Sequence, residues 1–433
     1  MKYRRAITAC AAIGLVASVA ACSSGGSSSS TSAPASISAA ASAPASSAPA
    51  SSATGSAATG TPIVIGSVGT YTQGTGGFTD PGQPAIQAWA SWVNAHGGIN
   101  GHPVKLIVED NKGDQAQAVS LVKQLVEQDH VVAFVSNQDG SLNAGYASYL
   151  DQQKIPVLGG SVFALQPWVS DPMFYPEGLT AIQDMTSLAI SAKEAGITKV
   201  GSLACSEASQ CAEANGLAKA IFDGAGMDDV YGGLVSSTAT DYTASCLTAE
   251  QTGAKALILL VPTASEGQVI AGDCQRQNYT PSYIIPGEAV GAGYLASSAF
   301  NNAFTNAGTL PWFSTAPAMS DFLAAMKQYA PSLNLNSSSV QEPLTATDAW
   351  VSGLMFQEAV KLSGATGIPT SADILAGLKK FNNDTLGGMA AGLTFTTPTN
   401  KTEGCYFTIK IVNQQFTLPN GATPACVPAT PAS

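Results

Sequence analysis

Residues 94–106 read NAHGGINGHPVKL, a glycine-rich turn between two segments of different hydrophobic period. Ahead of it, apolar side chains at positions 86, 89, 90 and 93 recur with helical spacing, which predicts a helix over residues 84–96. After it, residues 104–108 alternate as a strand does. Gly97 and Gly98 allow the positive φ that ends a helix, and Gly101 allows the turn into the strand. The stretch therefore predicts the helix-to-strand join of a βαβ unit.

The same alternation of strands and helices continues on both sides of this turn. Strands are predicted at residues 63–68, 104–108, 131–135, 155–158, 199–204, 230–235, 256–261 and 283–285. Helices are predicted at residues 84–96, 143–152, 180–194, 213–224, 245–252 and 266–277, and Asp114 caps a further one. Such alternation predicts mainly parallel sheets, and the number of units favours two α/β lobes over a single sheet.

Composition narrows the class of protein. The 433 residues include 18 Lys and Arg against 29 Asp and Glu, a formal net charge of -11. This balance argues against a nucleic-acid-binding protein, because phosphate recognition needs a basic surface. Hydrophobic residues make up 45% of the chain, which is enough for a large core and excludes global disorder.

The N-terminal region is predicted to be an export signal followed by a tether. A short basic segment precedes the apolar residues 6–21, so residues 1–21 are interpreted as a secretory signal peptide. Residues 19–22, VAAC, resemble a bacterial lipobox, in which Cys22 becomes the lipidated first residue. The alternative is an ordinary signal peptide that happens to contain Cys22. Apart from Ile37, residues 23–61 are Ala, Ser, Gly, Thr and Pro, so residues 22–61 are predicted to be a lipidated cysteine and a disordered tether.

Six cysteines remain beyond this region: Cys205, Cys211, Cys246, Cys274, Cys405 and Cys426. Six cysteines allow fifteen pairings, and the sequence does not choose among them, although pairing of neighbours is the simplest. Metal ligation and nucleophilic catalysis are the rival interpretations. No CxxC occurs, and all three histidines precede the first of these cysteines, so structural disulfides of an exported protein are favoured.

The segment 94–106 resembles the glycine signature of the Leu/Ile/Val-binding family, the type I periplasmic binding proteins that serve as solute receptors of ABC importers. Residues 195–200 (AGITKV) and 251–256 (QTGAKA) are similar to helix-to-strand joins in the second lobe of that family. The resemblance covers about residues 62–420. It implies an α/β, two-lobed type I periplasmic-binding-protein fold in which each lobe is a mainly parallel sheet flanked by helices.

The resemblance also implies three crossings between the lobes. Lobe one would take residues 62–178 and 309–364, lobe two residues 179–308 and 365–420, and residues 421–433 would form a C-terminal tail. In open α/β sheets, ligands bind beyond the carboxyl ends of the strands. We therefore expect the ligand site in the crevice where such strand ends from both lobes meet.

Two loops of the first lobe are candidates for this crevice. Tyr71, after the strand 63–68, offers a ring and a hydroxyl group to a solute. The loop 136–141 leads into a helix, and the resemblance implies that Ser141 and the backbone of Gly140 hold the carboxylate of the ligand there. Asp139 departs from the run of hydroxyl residues in the family and places a negative charge in this loop. Ordinary helix capping is the alternative role for Ser141.

A third loop follows the strand 155–158. Gly160, Ser161 and Phe163 match the small-residue loop through which the family makes polar backbone contacts with the ligand. For Ser161, as for Ser141, a local capping role is the alternative.

The second lobe contributes one acid and one hydroxyl. Glu288 follows the strand 283–285 and matches the acid that pairs with the α-ammonium group of bound amino acids in the family. Thr263 follows the strand 256–261, where the family often has a tyrosine. The alternatives are a solvated acid for Glu288 and a helix cap for either residue.

Catalysis has no support in the sequence. No GxSxG, HExxH or Walker motif occurs, and His96, His102 and His130 are interpreted as surface residues. We expect no catalytic residue, metal or cofactor, no nucleic-acid partner, and a monomer.

The sequence thus predicts a lipoprotein anchored to the outer face of the cell membrane. It would capture a small polar solute between two hinged lobes and deliver it to the permease subunits of an ABC importer. An amino acid is the leading ligand, with branched-chain amino acids among the candidates. The alternatives are a receptor for an amide or organic acid, and a surface lipoprotein that senses a ligand and signals to a partner.

Overall fold

A computed structural model of the chain describes residues 57–72, 81–162, 166–207, 209–261, 263–338, 340, 342–395 and 404–427. The predicted signal peptide (1–21), Cys22, most of the predicted tether, Phe163 and residues 428–433 lie outside this part of the chain. Among the described residues, no helix is both long and apolar enough to cross a membrane.

Five parallel strands form the first sheet, in the order β2-β1-β3-β4-β5. They are β1 (Ile63–Gly69), β2 (Val104–Asp110), β3 (Phe134–Asn137), β4 (Val157–Gly160) and β5 (Phe174–Tyr175). The helices between them are α1 (Gly82–Ala95), α2 (Gln115–Glu127) and α3 (Ala147–Gln153). β1 and β3 to β5 are almost wholly buried, as strands covered by helices on both faces must be.

The glycine-rich turn that defines the sequence pattern joins α1 to β2. Gly97, Gly98 and Gly101 all have positive φ, at 95°, 69° and 81°. The preceding chain packs on this turn, since Ala58 N donates to Asn94 O at 3.2 Å and Gly60 N donates to Gly101 O at 3.1 Å. The fold therefore begins before residue 62, within the last residues of the predicted tether.

The second sheet has eight strands, in the order β12-β11-β10-β9-β8-β6-β7, with β13 paired to β11. The strands are β6 (Lys199–Cys205), β7 (Asp228–Val235), β8 (Ala256–Leu260), β9 (Ser282–Ile284), β10 (Phe304–Ala307), β11 (Cys405–Val412), β12 (Gln415–Thr417) and β13 (Ala425–Cys426). β6 to β10 are parallel, and β11 to β13 complete the edge with antiparallel pairs. Its helices are α4 (Ala181–Glu194), α5 (Ser209–Gly224), α6 (Thr243–Thr252) and α7 (Ala264–Arg276).

Three disulfides strengthen the second sheet and its helices: Cys205–Cys211, Cys246–Cys274 and Cys405–Cys426. These are the pairs of neighbours that the simplest pairing predicts. The last one joins β11 to β13, so residues 425–426 of the predicted tail belong to the second sheet.

The chain returns to the first sheet through α8 (Ser320–Tyr329) and α9 (Leu344–Ser363), which pack against α1. Trp89 in α1 and Trp350 in α9 are core residues, as their helical spacing indicates. α10 (Ser371–Leu378) packs on α9, and the Ser371 hydroxyl donates to the Val132 carbonyl at 2.7 Å. Residues 365–378 therefore stay with the first sheet, although the sequence placed them in the second lobe.

Gly178 and Gly308 lie side by side where the chain passes between the two sheets. A Cβ atom on Gly308 would lie 2.6 Å from the Cα atom of Gly178, so both positions need glycine. A third segment runs beside them, since Leu310 N donates to Met389 O at 2.8 Å and Ala391 N donates to Gly308 O at 3.0 Å. We therefore revise the proposed third crossing from about residue 364 to residues 389–391.

A methyl group at this contact should force the crossing segments apart. We expect Gly308→Ala to lower the free energy of unfolding by about 1–3 kcal/mol, as overpacking does elsewhere. The matched control is Gly216→Ala in α5, where a Cβ would meet nothing within 4 Å. That change should raise stability by roughly 0.5–1 kcal/mol, because alanine is the better helix former. Urea unfolding of the full chain measures both, and equal effects would contradict the role of the contact.

Candidate functional site

Tyr71 lies at the carboxyl end of β1 and is held by its neighbours. The Ser67 hydroxyl donates to the Ser136 carbonyl at 2.8 Å, so the Tyr71 hydroxyl donates to Ser67 Oγ at 3.3 Å. Tyr71 N donates to Asp110 Oδ1 at 3.0 Å, and the ring packs over Gly69, where a Cβ would collide with it. Burial raises the pKa of the Tyr71 phenol, so Tyr71 presents a neutral, half-buried ring.

The loop after β3 buries an acid instead of presenting a set of hydroxyls. Asp139 precedes the 3-10 helix Gly140–Gly145, and its Oδ2 accepts a 2.5 Å hydrogen bond from the Tyr146 hydroxyl. Asp139 Oδ1 has no partner among the described residues, and burial raises the pKa of this carboxyl to about 7. Ser141 is exposed. A ligand carboxylate would therefore meet a buried acid here, which disfavours its binding.

The loop after β4 holds Gly160 and Ser161 at the same edge of the sheet. Gly160 N donates to Glu177 Oε2 at 3.3 Å, and the Ser161 hydroxyl donates to Gln138 Oε1 at 3.1 Å. The Ser161 oxygen keeps its acceptor lone pairs, and Ser161 is partly exposed. Phe163 lies outside the described residues.

Glu288 is an acid at the carboxyl end of β9, in the 3-10 helix Gly287–Ala289. Its side chain is partly exposed and has no hydrogen-bond or ion-pair partner in the described ranges of the chain. Burial and the nearby carboxyls of Asp184 and Asp348 raise the pKa of Glu288 to about 8. The turn that carries Glu288 is fixed by Gly287 N, which donates to Asp184 Oδ2 at 3.4 Å. Glu288 is thus available to a ligand.

Thr263 serves as the N-cap of α7. Its Oγ1 accepts a hydrogen bond from Glu266 N at 3.2 Å and shares another with Ser265 Oγ at 2.9 Å. In the described part of the chain, no contact joins Thr263 or Ser141 to Glu288. Ligand roles for these two residues stay predictions.

Four further acids interact electrostatically with Glu288 or with its neighbour Asp348, and the sequence did not single them out. Together we call these five residues the acidic cluster: Glu177, Asp184, Glu288, Glu342 and Asp348. Glu177 and Asp184 lie on either side of the first crossing, whereas Glu342 and Asp348 lie at the start of α9. Glu177, Asp184 and Glu342 are 1%, 0% and 3% exposed.

Burial raises the pKa values of all five carboxyls in the acidic cluster, and neighbouring carboxyls raise those of Glu177, Glu288 and Glu342 further. Burial raises the pKa of Asp184 to about 7 and that of Asp348 to about 7. Burial and the Asp348 charge raise the pKa of Glu177 well above its usual range. Burial, with Glu288 and Asp348 nearby, does the same for Glu342. These carboxyls lie close enough to share one electrostatic environment across the two sheets.

Few hydrogen bonds reach the acidic cluster. The Thr309 hydroxyl donates to Asp348 Oδ1 at 2.6 Å, and backbone N–H groups reach one oxygen each of Glu177 and Asp184. Glu177 Oε1, Asp184 Oδ1 and Glu342 Oε1 are buried without a partner in the part of the chain that is described. Buried carboxyl oxygens without hydrogen-bond partners favour a ligand that donates hydrogen bonds and carries positive charge.

The sequence contains a pattern that could have indicated two of these acids. Only 11% of all residues are charged, yet Asp184 lies on the buried face of α4, in AIQDM (181–185), and Asp348 stands between buried residues of α9, in TATDAW (345–350). An acid on a buried helix face needs a partner, and none stands beside it in the sequence. That mismatch could have marked both residues as candidates.

The described residues do not meet the requirements of a metal site. Within the described ranges, no group of three or more His, Cys, Asp or Glu side chains is placed to hold a metal ion.

The acidic cluster lies where the two α/β sheets approach each other, and open α/β sheets bind ligands beyond the carboxyl ends of their strands. The sequence model of the family described as periplasmic binding protein matches residues 62–415. The chain therefore belongs to this family, and the resemblance seen in the glycine-rich turn is confirmed. The family consists of solute-binding proteins and not of enzymes, which agrees with the missing catalytic motifs.

Solved structures share the fold at low identity. A branched-chain amino acid ABC transporter protein from Thermus thermophilus with bound valine is 14% identical, with a TM-score of 0.72 over 86% of this chain and 98% of that one. A solute-binding protein of an ABC transporter from Rhodopseudomonas palustris, in complex with p-hydroxybenzoic acid, is 16% identical, with a TM-score of 0.65 over 84% and 97% of the two chains.

A curated amino acid binding protein from Pseudomonas aeruginosa is 28% identical over 120 residues. The matched segment is 28% of this chain and 30% of that protein.

The raised pKa values predict how the stability of the ligand-free protein depends on pH. A carboxyl whose pKa is higher in the folded than in the unfolded state binds its proton more tightly when folded. It therefore costs stability as the pH rises from about 4 towards its folded pKa. With the pKa values of Asp184 and Asp348 near 7 and that of Glu288 near 8, the free energy of unfolding should fall between pH 5 and pH 8, and each of these groups should contribute about 1 kcal/mol per pH unit below its folded pKa.

Urea unfolding at a series of pH values measures this slope. Glu288→Gln should make it shallower, because the substituted side chain does not titrate. Glu213→Gln, at an exposed position of α5, is the matched control and should leave the slope unchanged. A stability that is constant or rises over this range would contradict the electrostatic picture of the acidic cluster.

Proposed function

We propose that the protein is the lipid-anchored solute receptor of an ABC importer and captures a small polar solute, an amino acid foremost, between its two lobes. The observation that supports this most directly is Glu288, a partly exposed acid without a partner at the carboxyl end of β9. Such a group binds a primary ammonium through charge-assisted hydrogen bonds. An organic acid is a poorer fit, because the acidic cluster and Asp139 would repel it.

The lobe-one loops would complete the ligand site. Tyr71 offers a ring face, and Ser161 and Gly160 lie beside the acid Glu177 at the edge of the same sheet. The three crossings would serve as the hinge, so that closure brings these loops towards Glu288 and presents a closed surface to the permease subunits. We propose that the protein acts as a monomer at the outer face of the cell membrane.

An amino acid that binds the cleft should stabilise the full chain, purified in detergent, against heat. A ligand at 100 times its Kd adds about 2.7 kcal/mol. Glu288→Gln should weaken binding at least about tenfold, because the ammonium loses its counter-charge. Thermal unfolding against a panel of amino acids, amides and organic acids tests this, with Glu213→Gln as the control. The amino-acid assignment would be refuted if only an acidic or uncharged solute stabilised the protein, and if it stabilised Glu288→Gln as much as the wild type.

Lipidation at Cys22 has its own test. In cells that process lipoproteins, the wild-type chain should partition into the detergent phase on Triton X-114 separation, because an acyl chain gains about 0.8 kcal/mol per buried methylene. Cys22→Ser should move the protein to the aqueous phase. Cys10→Ser, within the predicted signal peptide, is the matched control and should not. If both variants partition as the wild type does, Cys22 is not the anchor.

A further inference from the structure

The acidic cluster holds more ionisable carboxyls than one ammonium group can pair with. Five carboxyls from both sheets interact with one another around the crossings. A single ammonium carries one charge and three N–H donors, so it can serve about two of these carboxyls. Pairing of Glu288 with one ammonium would leave Glu342 and Asp348 without a counter-charge.

The protein itself supplies no such counter-charge in the part of the chain that is described. Every Lys and Arg side chain there is exposed, apart from the half-buried Lys410 on β11. The four ion pairs formed by these residues do not involve the acidic cluster. The cluster is therefore not a salt-bridge network that merely supports the fold.

Glu342 gives an independent indication of a second cationic subsite. It is 3% exposed, its Oε1 has no hydrogen-bond partner among the described residues, and it lies near both Glu288 and Asp348. Its backbone adopts a left-handed conformation, with φ at 52°, which is costly for a residue other than glycine. A buried, unpartnered carboxyl on a strained turn is costly unless a ligand satisfies it.

The carboxyls do not converge on one point. No three of the described acids are placed to ligate a single metal ion. Glu288 lies in the 3-10 helix after β9, whereas Glu342 and Asp348 lie at the start of α9, and carboxyls on separate elements fit a ligand whose positive groups are also separated. An extended organic cation meets this condition, and a single ion does not.

We propose that the cleft binds a solute with two cationic nitrogen groups separated by an aliphatic chain, one paired with Glu288 and the other with Glu342 and Asp348. This inference rests on the proposed function and specifies the solute class. Two sources share the chemistry, a basic amino acid and a linear diamine. A basic amino acid also carries a carboxylate, which a diamine lacks. The buried Asp139 disfavours the binding of a carboxylate at the loop after β3.

Isothermal titration of the full chain with matched pairs of solutes tests the proposal. 1,4-Diaminobutane is compared with 1-aminobutane, and lysine with norleucine, so that each pair differs in one cationic group. We expect the solute with two cationic groups (called the dication below) to bind ten or more times as tightly as the solute with one (called the monocation) in at least one pair. Tighter binding of lysine than of 1,4-diaminobutane would identify a basic amino acid, and the reverse order a diamine.

Glu342→Gln separates the two subsites. It should reduce the affinity for the preferred dication at least tenfold and change that for the matched monocation less than twofold. Glu288→Gln should weaken both, and Glu213→Gln neither. Urea unfolding of each variant confirms that it is folded. Because the raised pKa values must fall when a cation binds, titration in two buffers of different ionisation enthalpy should also show proton release near pH 7.

The failures are distinguishable. If norleucine or leucine binds as tightly as lysine, and 1,4-diaminobutane does not bind, the second cationic subsite is refuted while the proposed amino-acid receptor stands. If no dication binds and mass spectrometry finds a co-purified uncharged or acidic solute, both proposals fail. Equal loss of monocation and dication affinity in Glu342→Gln would also overturn the assignment of the second subsite.

Discussion

Gly178 and Gly308 touch where the chain passes between the two sheets, and their contact fixes which segments meet there. Each glycine leaves no room for a Cβ on the other segment, and the third crossing is hydrogen-bonded beside Gly308. Glu177 directly precedes the first of these glycines, and Thr309 directly follows the second and donates to Asp348. The close approach of two backbones therefore brings acids from distant parts of the sequence to one place. A bulkier residue at either glycine would move the crossing segments and the acids together.

The acidic cluster costs stability, and the second lobe shows how the chain compensates. Each buried carboxyl oxygen without a partner costs about 1–3 kcal/mol. The disulfides close segments with sequence separations of 6, 28 and 21, and each restricts the unfolded chain by roughly 2–4 kcal/mol. All three lie in the lobe that contributes Asp184 and Glu288. These cross-links stabilise the second lobe, which also contributes buried carboxyls to the acidic cluster.

Hydrophobic period and turn chemistry were sufficient to predict the α/β class, most strands of both sheets and the Asp114 cap, whereas the crossings were implied only by the family resemblance. The Asp114 side chain accepts a hydrogen bond from Gln117 N at 2.7 Å. Because this interaction spans only three residues, the local sequence is enough to predict it. The third crossing was placed too early, because α10 packs on α9 through tertiary contacts that leave no local pattern. Of the acidic cluster, only Glu288 was found, since a strand end marks it. Glu177, Asp184, Glu342 and Asp348 meet it only through the folding of both sheets.

Because its carboxyls come from both sheets, the acidic cluster would link ligand binding to the proposed closure of the lobes. Two ionised groups about 6 Å apart repel each other by about 3 kcal/mol at an effective dielectric constant near 20. Closure of an empty cleft would bring Glu288 closer to Glu342 and Asp348 and increase this repulsion. A cation between them reverses the sign of the interaction, so it binds the closed form more tightly than the open one. That difference in affinity is what shifts a conformational equilibrium. A neutral solute would lack this difference in affinity between the open and closed forms, however well its shape fitted the cleft. The acidic cluster would therefore select cationic solutes through the proposed closure as well as through direct contact.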